Sequence, residues 1–418
     1  MVVLLIPSSA GLGLGQVQGL ALKILPTVAP VYGVFRFYRY ERKVHNDKND
    51  FFATVSLSSC FLEVDQALRL SNPLGWSLAD PLMKFSRLFV TYLVILTGLL
   101  IVAGETAVRL KGVKPWQPIS LTIKVNPGDK LYVKHPTLGY ANIPGEFTVT
   151  LEDGYSFNLT ILPNGCRITH PLGTYKEAGS KKEIWIFGCS FTNGWSLNDS
   201  ETFPWLLQER FPMYEVINFG VNGYGTVQSI IQFRQALQER RVPKIVVYAY
   251  AGFHVERNVF LRSWRKIVFS FSKLGQQMGP YARLNADDKL EYYLKNVEYN
   301  EFPLMRHSAF MHFIELKYDK LEENYYHSRE VTEALILEMA KIAKEKGITF
   351  VLAGITDSQG TRNMLSFARD KGIKAIDISV DLDIPGYRNS PYDIHPSALA
   401  DRKYADKLEA FLRRDGLL

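Results

Sequence analysis

A doubly wound, three-layer parallel α/β sheet, preceded by a small β module and an N-terminal transmembrane helix, is the fold class this sequence predicts. Three observations point to it. After residue 180, five apolar runs alternate with helical patterns, as chained βαβ units require. Between about residues 121 and 169 the pattern is instead short alternating runs separated by turn dipeptides, the signature of hairpins. Ahead of both, Leu88–Gly104 (LFVTYLVILTGLLIVAG) carries no charged residue.

Residues 1–87 read as a hydrophobic and basic N-terminal region. Its first 35 residues are apolar but lack the basic start and small-residue cleavage site of a secretory signal, so a hydrophobic hairpin or membrane-associated segment stands beside a signal as a reading. Arg36, Arg39, Arg42 and Lys43 are then interleaved with Phe35, Phe37, Tyr38 and Tyr40, a composition that suits a membrane surface or a solvated face. The uncharged run over 88–104 would be about 26 Å long as a helix, enough to reach across a hydrocarbon core. A transmembrane helix is therefore expected over 88–108, with a buried soluble helix as the alternative. Lys84 and Arg87 flank its start, whereas Lys111 and Lys114 come after its end. The larger basic cluster places the N-terminal side in the cytoplasm and everything after about residue 110 outside it, periplasmic or extracellular.

A small β-rich module is expected over 112–178. Leu131-Tyr132-Val133, Phe147–Thr150 and Tyr155–Ile161 are its strands, and Pro144-Gly145, Asp153-Gly154 and Asn164-Gly165 its turns. The α/β domain occupies 179–418, with strands at 183–188, 214–219, 243–250, 348–355 and 373–379. Helices are expected near 202–210, 226–240, 330–346, 360–371 and 397–414. The stretch from about 255 to 325 exceeds an ordinary crossover and reads as a helical insertion capping the sheet.

Composition narrows the function. A chain of 418 residues that is 47% hydrophobic can bury at least one full core, and its length allows two or three domains. The net charge of +7 is modest, and no basic stripe lies beyond the N-terminal third, so nucleic acid is not an expected partner. Cys60, Cys166 and Cys189 are too few and too scattered for a disulfide framework or zinc site; a single Cys166–Cys189 bridge is compatible but not required. No grouping has metal-ligand spacing, His307, His312 and His327 lie in the insertion without partners, and no cofactor is implied.

The chemistry concentrates where strands end. Ile184-Trp185-Ile186-Phe187-Gly188-Cys189-Ser190 is a buried strand stopping at a glycine and a serine, and open α/β sheets place their ligands at such carboxyl ends. A serine hydroxyl needs a base to become nucleophilic, and the base needs an acceptor to fix its tautomer. Asp393-Ile394-His395 stands after the last strand and before the last helix, which brings His395 to the same sheet edge with a carboxylate beside it; helix capping would also explain it. Asn218–Thr226 (NFGVNGYGT) comes directly after the second strand, and its glycines can turn amides into the cleft as an oxyanion hole requires, or simply make a strand-to-helix turn. The spacing matches neither Gly-x-Gly-x-x-Gly nor Gly-x-Ser-x-Gly. Asp377, Asp381 and Asp383 read as loop residues.

In this order the three pieces resemble the SGNH/GDSL hydrolase superfamily over about residues 180–418. Gly188-Cys189-Ser190 stands for its Gly-Asp-Ser block, Gly223 for the glycine of its second block, and Asp393 and His395 for its last. The resemblance implies a flavodoxin-like sheet and serine ester hydrolysis or acyl transfer. Ser190 would attack, His395 act as base and Asp393 orient it, while Ser190 N–H and Gly223 N–H hold the oxyanion. Cys189 replaces an aspartate that the mechanism does not use. The last block is Asp-x-His rather than Asp-x-x-His, a spacing also met in membrane-anchored relatives. Where the third block offers an asparagine this chain has Ala251–Asn258 (AGFHVERN), so His254, or Asn258 one helical turn later, is the candidate third donor. The expected function is a membrane-anchored serine esterase or acyltransferase acting on an acylated glycan or lipid ester. The rival is a catalytically silent module that binds a glycan or a partner through the same cleft.

Overall fold

The computed structural model describes residues 79–118, 122–173 and 181–418. The basic cluster Arg36–Lys43, Cys60 and the apolar first 35 residues lie outside the described residues. The chain divides into two units, Met1–Phe85 and Ser86–Leu418, and the β module and the parallel sheet both belong to the second.

A helix, α1, leads into that unit and runs Ala79–Leu110, longer at both ends than the span expected from charge alone. Its apolar side chains are exposed, Leu88 to 70% and Val102 to 64%, so it is not a core helix. Phe85–Leu110 is long and apolar enough to cross a membrane. Its final turns meet the α/β domain. Glu105 accepts hydrogen bonds from Ser308 Oγ and the amides of Ala309 and Phe310, and Gly104 lies where a Cβ would be 3.1 Å from the Phe310 ring.

The β module contains β1 (Lys124–Asn126), β2 (Tyr132–His135), β3 (Gly139–Asn142), β4 (Gly145–Thr150) and β5 (Ser156–Ile161). β1, β4 and β5 form an antiparallel sheet and β2–β3 a hairpin. Its alternating residues Val149, Phe157 and Leu159 are buried together with Trp195, Val221 and Tyr224 of the α/β domain. Module and domain therefore share one core.

The α/β domain begins with β6 (Lys182–Phe187) and a one-turn helix α2 (Ser190–Asn193), then α3 (Phe203–Arg210), β7 (Tyr214–Asn218), α4 (Thr226–Glu239) and β8 (Ile245–Tyr250). Next come α5 (His254–Asn258), α6 (Arg262–Ser270), β9 (Met278–Leu284), β10 (Leu290–Asn296) and α7 (Ala309–Tyr325). The chain closes with α8 (Ser328–Glu345), β11 (Thr349–Gly354), α9 (Gln359–Asp370), β12 (Lys374–Asp377) and α10 (Ala398–Arg414). The parallel sheet is ordered β12-β11-β8-β6-β7. The central strands are apolar on both faces because helices cover both. Trp185, Phe187, Tyr248 and Leu352 pack with α4, α8 and α9, while Ile184, Ile186, Val247 and Ala353 pack with α3 and α10. The strand order reverses between β6 and β8, and ligands of open sheets bind in the crevice at such a switch.

One expectation needs correction, and one open alternative closes. The 255–325 insertion is not wholly helical, because β9 and β10 pair as an antiparallel hairpin. Asn285 makes its turn by accepting bonds from the Asp287 and Lys289 amides, a local signal that the Tyr- and Arg-rich composition concealed. Cys166 and Cys189 are both buried free thiols and form no bridge.

Candidate active site

The serine is placed by the residues on either side of it. β6 ends at Phe187, and a side chain at Gly188 would run into Thr192 Oγ1 while lying 3.1 Å from the Ala249 carbonyl, so this close approach of strand and helix needs glycine. Cys189 is extended, Ser190 opens α2, and Gly194 at φ 80° ends it. This sharp turn leaves Ser190 at the strand's carboxyl end, 6% exposed.

His395 arrives from the other end of the chain. Its Nε2 lies 2.9 Å from Ser190 Oγ, and its Nδ1 lies 2.6 Å from Asp393 Oδ1. The same carboxylate oxygen accepts the His395 amide at 2.9 Å. Burial opposes ionisation of Asp393, but the His395 ring and amide and the Trp195 indole together outweigh it and hold the carboxyl below its ordinary range. The loop is pinned on both sides: Asn389 Nδ2 donates to the Ser196 carbonyl at 3.0 Å, and Tyr392 stacks on Tyr155 of the β module at 4.9 Å. Ser397 caps α10 by accepting the Ala400 amide, so the capping reading holds for Ser397, while His395 faces Ser190 and Asp393 faces His395. Phe191 presents its ring to His395 at 5.5 Å.

The loop after β7 is locked to α2. Asn218 Nδ2 donates to the Thr192 carbonyl at 2.9 Å, and Asn193 Nδ2 to the Gly220 carbonyl at 3.0 Å. Gly223 adopts φ 84°, and a Cβ there would collide with the Tyr140 hydroxyl, which donates to the Asn222 carbonyl at 2.8 Å. Among the described residues, neither Ser190 N–H nor Gly223 N–H has a protein hydrogen-bond partner.

Neither third-donor candidate is available to a ligand here. Asn258 is fully buried. Its Oδ1 accepts the Thr226 and Val227 amides at the start of α4, and its Nδ2 donates to Thr226 Oγ1 and Thr332 Oγ1. That spends its hydrogen-bonding capacity on structure. His254 is also 0% exposed. Its Nδ1 lies 2.8 Å from the Tyr248 hydroxyl, and burial together with the neighbouring Arg257 charge drives its pKa well below the ordinary value. Its Nε2 has no partner among the described residues and no solvent exposure, so it does not reach the space an oxyanion would occupy.

Sequence reasoning missed Arg167, which lies between β5 and β6. This fully buried guanidinium donates to the carbonyls of Asn158, Asn193, Gly194 and Leu197 and pairs with Asp199 at 3.1 Å. It thereby fastens the β module to the turn after the serine helix. Its only sequence signal is a charged residue between Cys166 and Ile168, both apolar. His312, read as lacking partners, has its Nδ1 2.7 Å from the Lys114 carbonyl.

Ser190 follows β6 and lies 2.9 Å from His395, at the carboxyl edge of the sheet ordered β12-β11-β8-β6-β7. The fold is a five-stranded parallel α/β sheet covered by helices on both faces. No family model matches the chain, and no curated protein does. Among solved structures, it is similar to that of TesA at 13% identity, covering 57% of this chain and 100% of that one, with a TM-score of 0.34. It is likewise similar to a member of the lipolytic protein G-D-S-L family from Veillonella parvula at 14% identity, over 56% and 99% of the two chains, with a TM-score of 0.33. An acetyl xylan esterase, AlAXEase, is similar at 12% identity over 55% and 99%, with a TM-score of 0.31.

Proposed function

We propose that the chain is a membrane-anchored serine hydrolase of the SGNH type that cleaves or transfers acyl esters. The observation that carries this reading is the continuous line from Ser190 Oγ through His395 to Asp393, with separations of 2.9 and 2.6 Å. His395 Nε2 takes the Ser190 proton as Oγ attacks the ester carbonyl. Asp393, kept ionised, holds the imidazole's tautomer and stabilises the imidazolium that forms. Negative charge then develops on the former carbonyl oxygen, for which the free amides of Ser190 and Gly223 are the assigned donors, each worth about 10²–10³ in rate. The imidazolium returns its proton to the departing alcohol, leaving an acyl-Ser190 ester. Water activated by the same base releases the acid; an alcohol in its place receives the acyl group.

The exposed apolar length of α1 supports the membrane anchor, since a contiguous apolar surface of this kind is not stable in water. On the charge asymmetry of the sequence the hydrolase domain lies outside the cytoplasm, where an acylated glycan or a lipid ester is the proposed substrate class. With 4-nitrophenyl acetate, turnover is expected from the wild type and loss of that turnover from Ser190→Ala; an unchanged rate in the variant overturns the nucleophile. Protein released from membranes by alkaline carbonate overturns the anchor, because a spanning helix resists that extraction.

A further inference from the structure

Arg167, Arg257 and Arg262 are deeply buried, exposing 1, 9 and 8% of their surfaces. Two have the carboxylate that a buried cation requires: Asp199 lies 3.1 Å from Arg167, and Glu315 lies 3.0 Å from Arg262. Among the described residues, Arg257 has none within 4.0 Å. Its Nη1 donates to the Tyr224 carbonyl at 2.8 Å, its Nε is sealed without a partner, and its Nη2 makes no hydrogen bond yet is not sealed from solvent. The guanidinium is clamped between the rings of Phe253 and Trp264, each 4.3 Å from Cζ. A stacked guanidinium with its Nη2 free is already positioned to donate to a carboxylate or phosphate.

Both clamping rings lie one packing layer from the catalytic candidates. Phe253 packs edge-on against Phe191 at 5.8 Å, and Phe191 does the same to His395 at 5.5 Å. On the other side, a Cβ at Gly223 would be 3.5 Å from Trp264 Cη2. The guanidinium thus sits in the wall that joins the base to the oxyanion glycine.

We propose that Arg257 is the anion subsite of this cleft, so that the ester it processes carries a carboxylate or a phosphate. This inference rests on the serine hydrolase reading for its reaction, but its binding can be tested without turnover. The shared chemistry has two sources, an acidic glycan and an anionic lipid headgroup.

The first arm uses the full chain in detergent with 4-nitrophenyl acetate and 4-nitrophenyl hydrogen succinate, whose acyl chain ends in a carboxylate. The wild type should favour the anionic ester by about tenfold or more in kcat/KM, chiefly through KM, as one good charged contact supplies. In Arg257→Gln the ratio of the two esters should fall to about one, and Arg257→Lys should restore part of it. A wild type without preference, or a Gln variant that slows both esters equally, overturns the proposal and makes Arg257 an oxyanion or structural group. The second arm titrates Ser190→Ala protein calorimetrically with acetylated oligogalacturonate, acetylated xylo-oligosaccharide and bicelles of phosphatidylglycerol or phosphatidylcholine. Binding of an anionic member over its neutral counterpart, lost in Ser190→Ala/Arg257→Gln, is expected. The member bound tells glycan from lipid. Binding of no anion, or binding that Arg257→Gln leaves unchanged, overturns the subsite. Because this arm needs no nucleophile, its failure is distinct from failure of the hydrolase reading.

Discussion

The two walls of the cleft are built on opposite plans. On the wall made by α2 and the loop before α10, Ser190 Oγ, both ring nitrogens of His395 and the Asp393 carboxylate are bonded in one line. On the wall after β8, His254 Nε2 and Arg257 Nε have no partner among the described residues. A line that is complete without a ligand is held by the fold, and its geometry is ready before substrate arrives. An unpaired buried donor is instead a cost that either structure or a ligand must offset. The first wall is accordingly assigned to chemistry and the second to support and recognition.

Changes on the first wall should have the largest effects. His395→Ala, and Asp393→Asn with its disturbed tautomer, should each lower kcat by about 10⁴-fold while leaving the melting temperature near that of the wild type; steady-state kinetics with 4-nitrophenyl acetate measures both. Between the walls, Gly223→Ala combines a positive φ with a collision at Tyr140. It should destabilise the protein by about 1–2 kcal/mol and slow turnover by about 10²-fold as the amide moves. Chemical denaturation and kinetics on one preparation separate the two effects.

On the second wall the expected effects are on stability. Asn258→Ala removes the cap of α4 and leaves buried hydroxyls unpaired, so a loss of about 2–3 kcal/mol is expected, with kcat changed by less than about threefold. His254→Ala should behave likewise. A kcat loss of two orders of magnitude in either variant would break the comparison, because it would make a sealed side chain part of the chemistry.

The smallest effect lies outside both walls, at Asp319 on α7. Burial and the nearby Glu315 carboxylate raise its pKa to about 6. A carboxyl raised in the folded state destabilises it progressively as pH climbs from about 4 to 6, and by a constant amount above that. Asp319→Asn should therefore stabilise the protein by about 1 kcal/mol above pH 6, reduced from the full shift because the group is partly solvated, and by nothing below pH 4. Melting temperatures across pH 3.5–8 read this directly.

Some of this is legible in the sequence because it is local. The central strands announce themselves as apolar runs buried on both faces, and Asp393 and His395 lie two residues apart beside a helix cap. Ser190 needs only a strand end to mark it. The rest depends on contacts between distant segments. Asn258 stands one helical turn past the expected place of a functional asparagine, and its side chain bonds Thr226 and Thr332, 32 and 74 residues away. Arg167 satisfies four carbonyls that no periodicity reveals. Arg257 carries no mark of its own, because a sequence shows that an arginine is present, not that no carboxylate faces it.

The central claim is that the strand-end serine is the nucleophile, and labelling with a neutral fluorophosphonate followed by peptide mass spectrometry tests it most directly. The account predicts one adduct, on Ser190, that disappears in Ser190→Ala and forms far more slowly in His395→Ala. An adduct that persists in Ser190→Ala, or a wild type that stays unlabelled while its fold is intact, would contradict it.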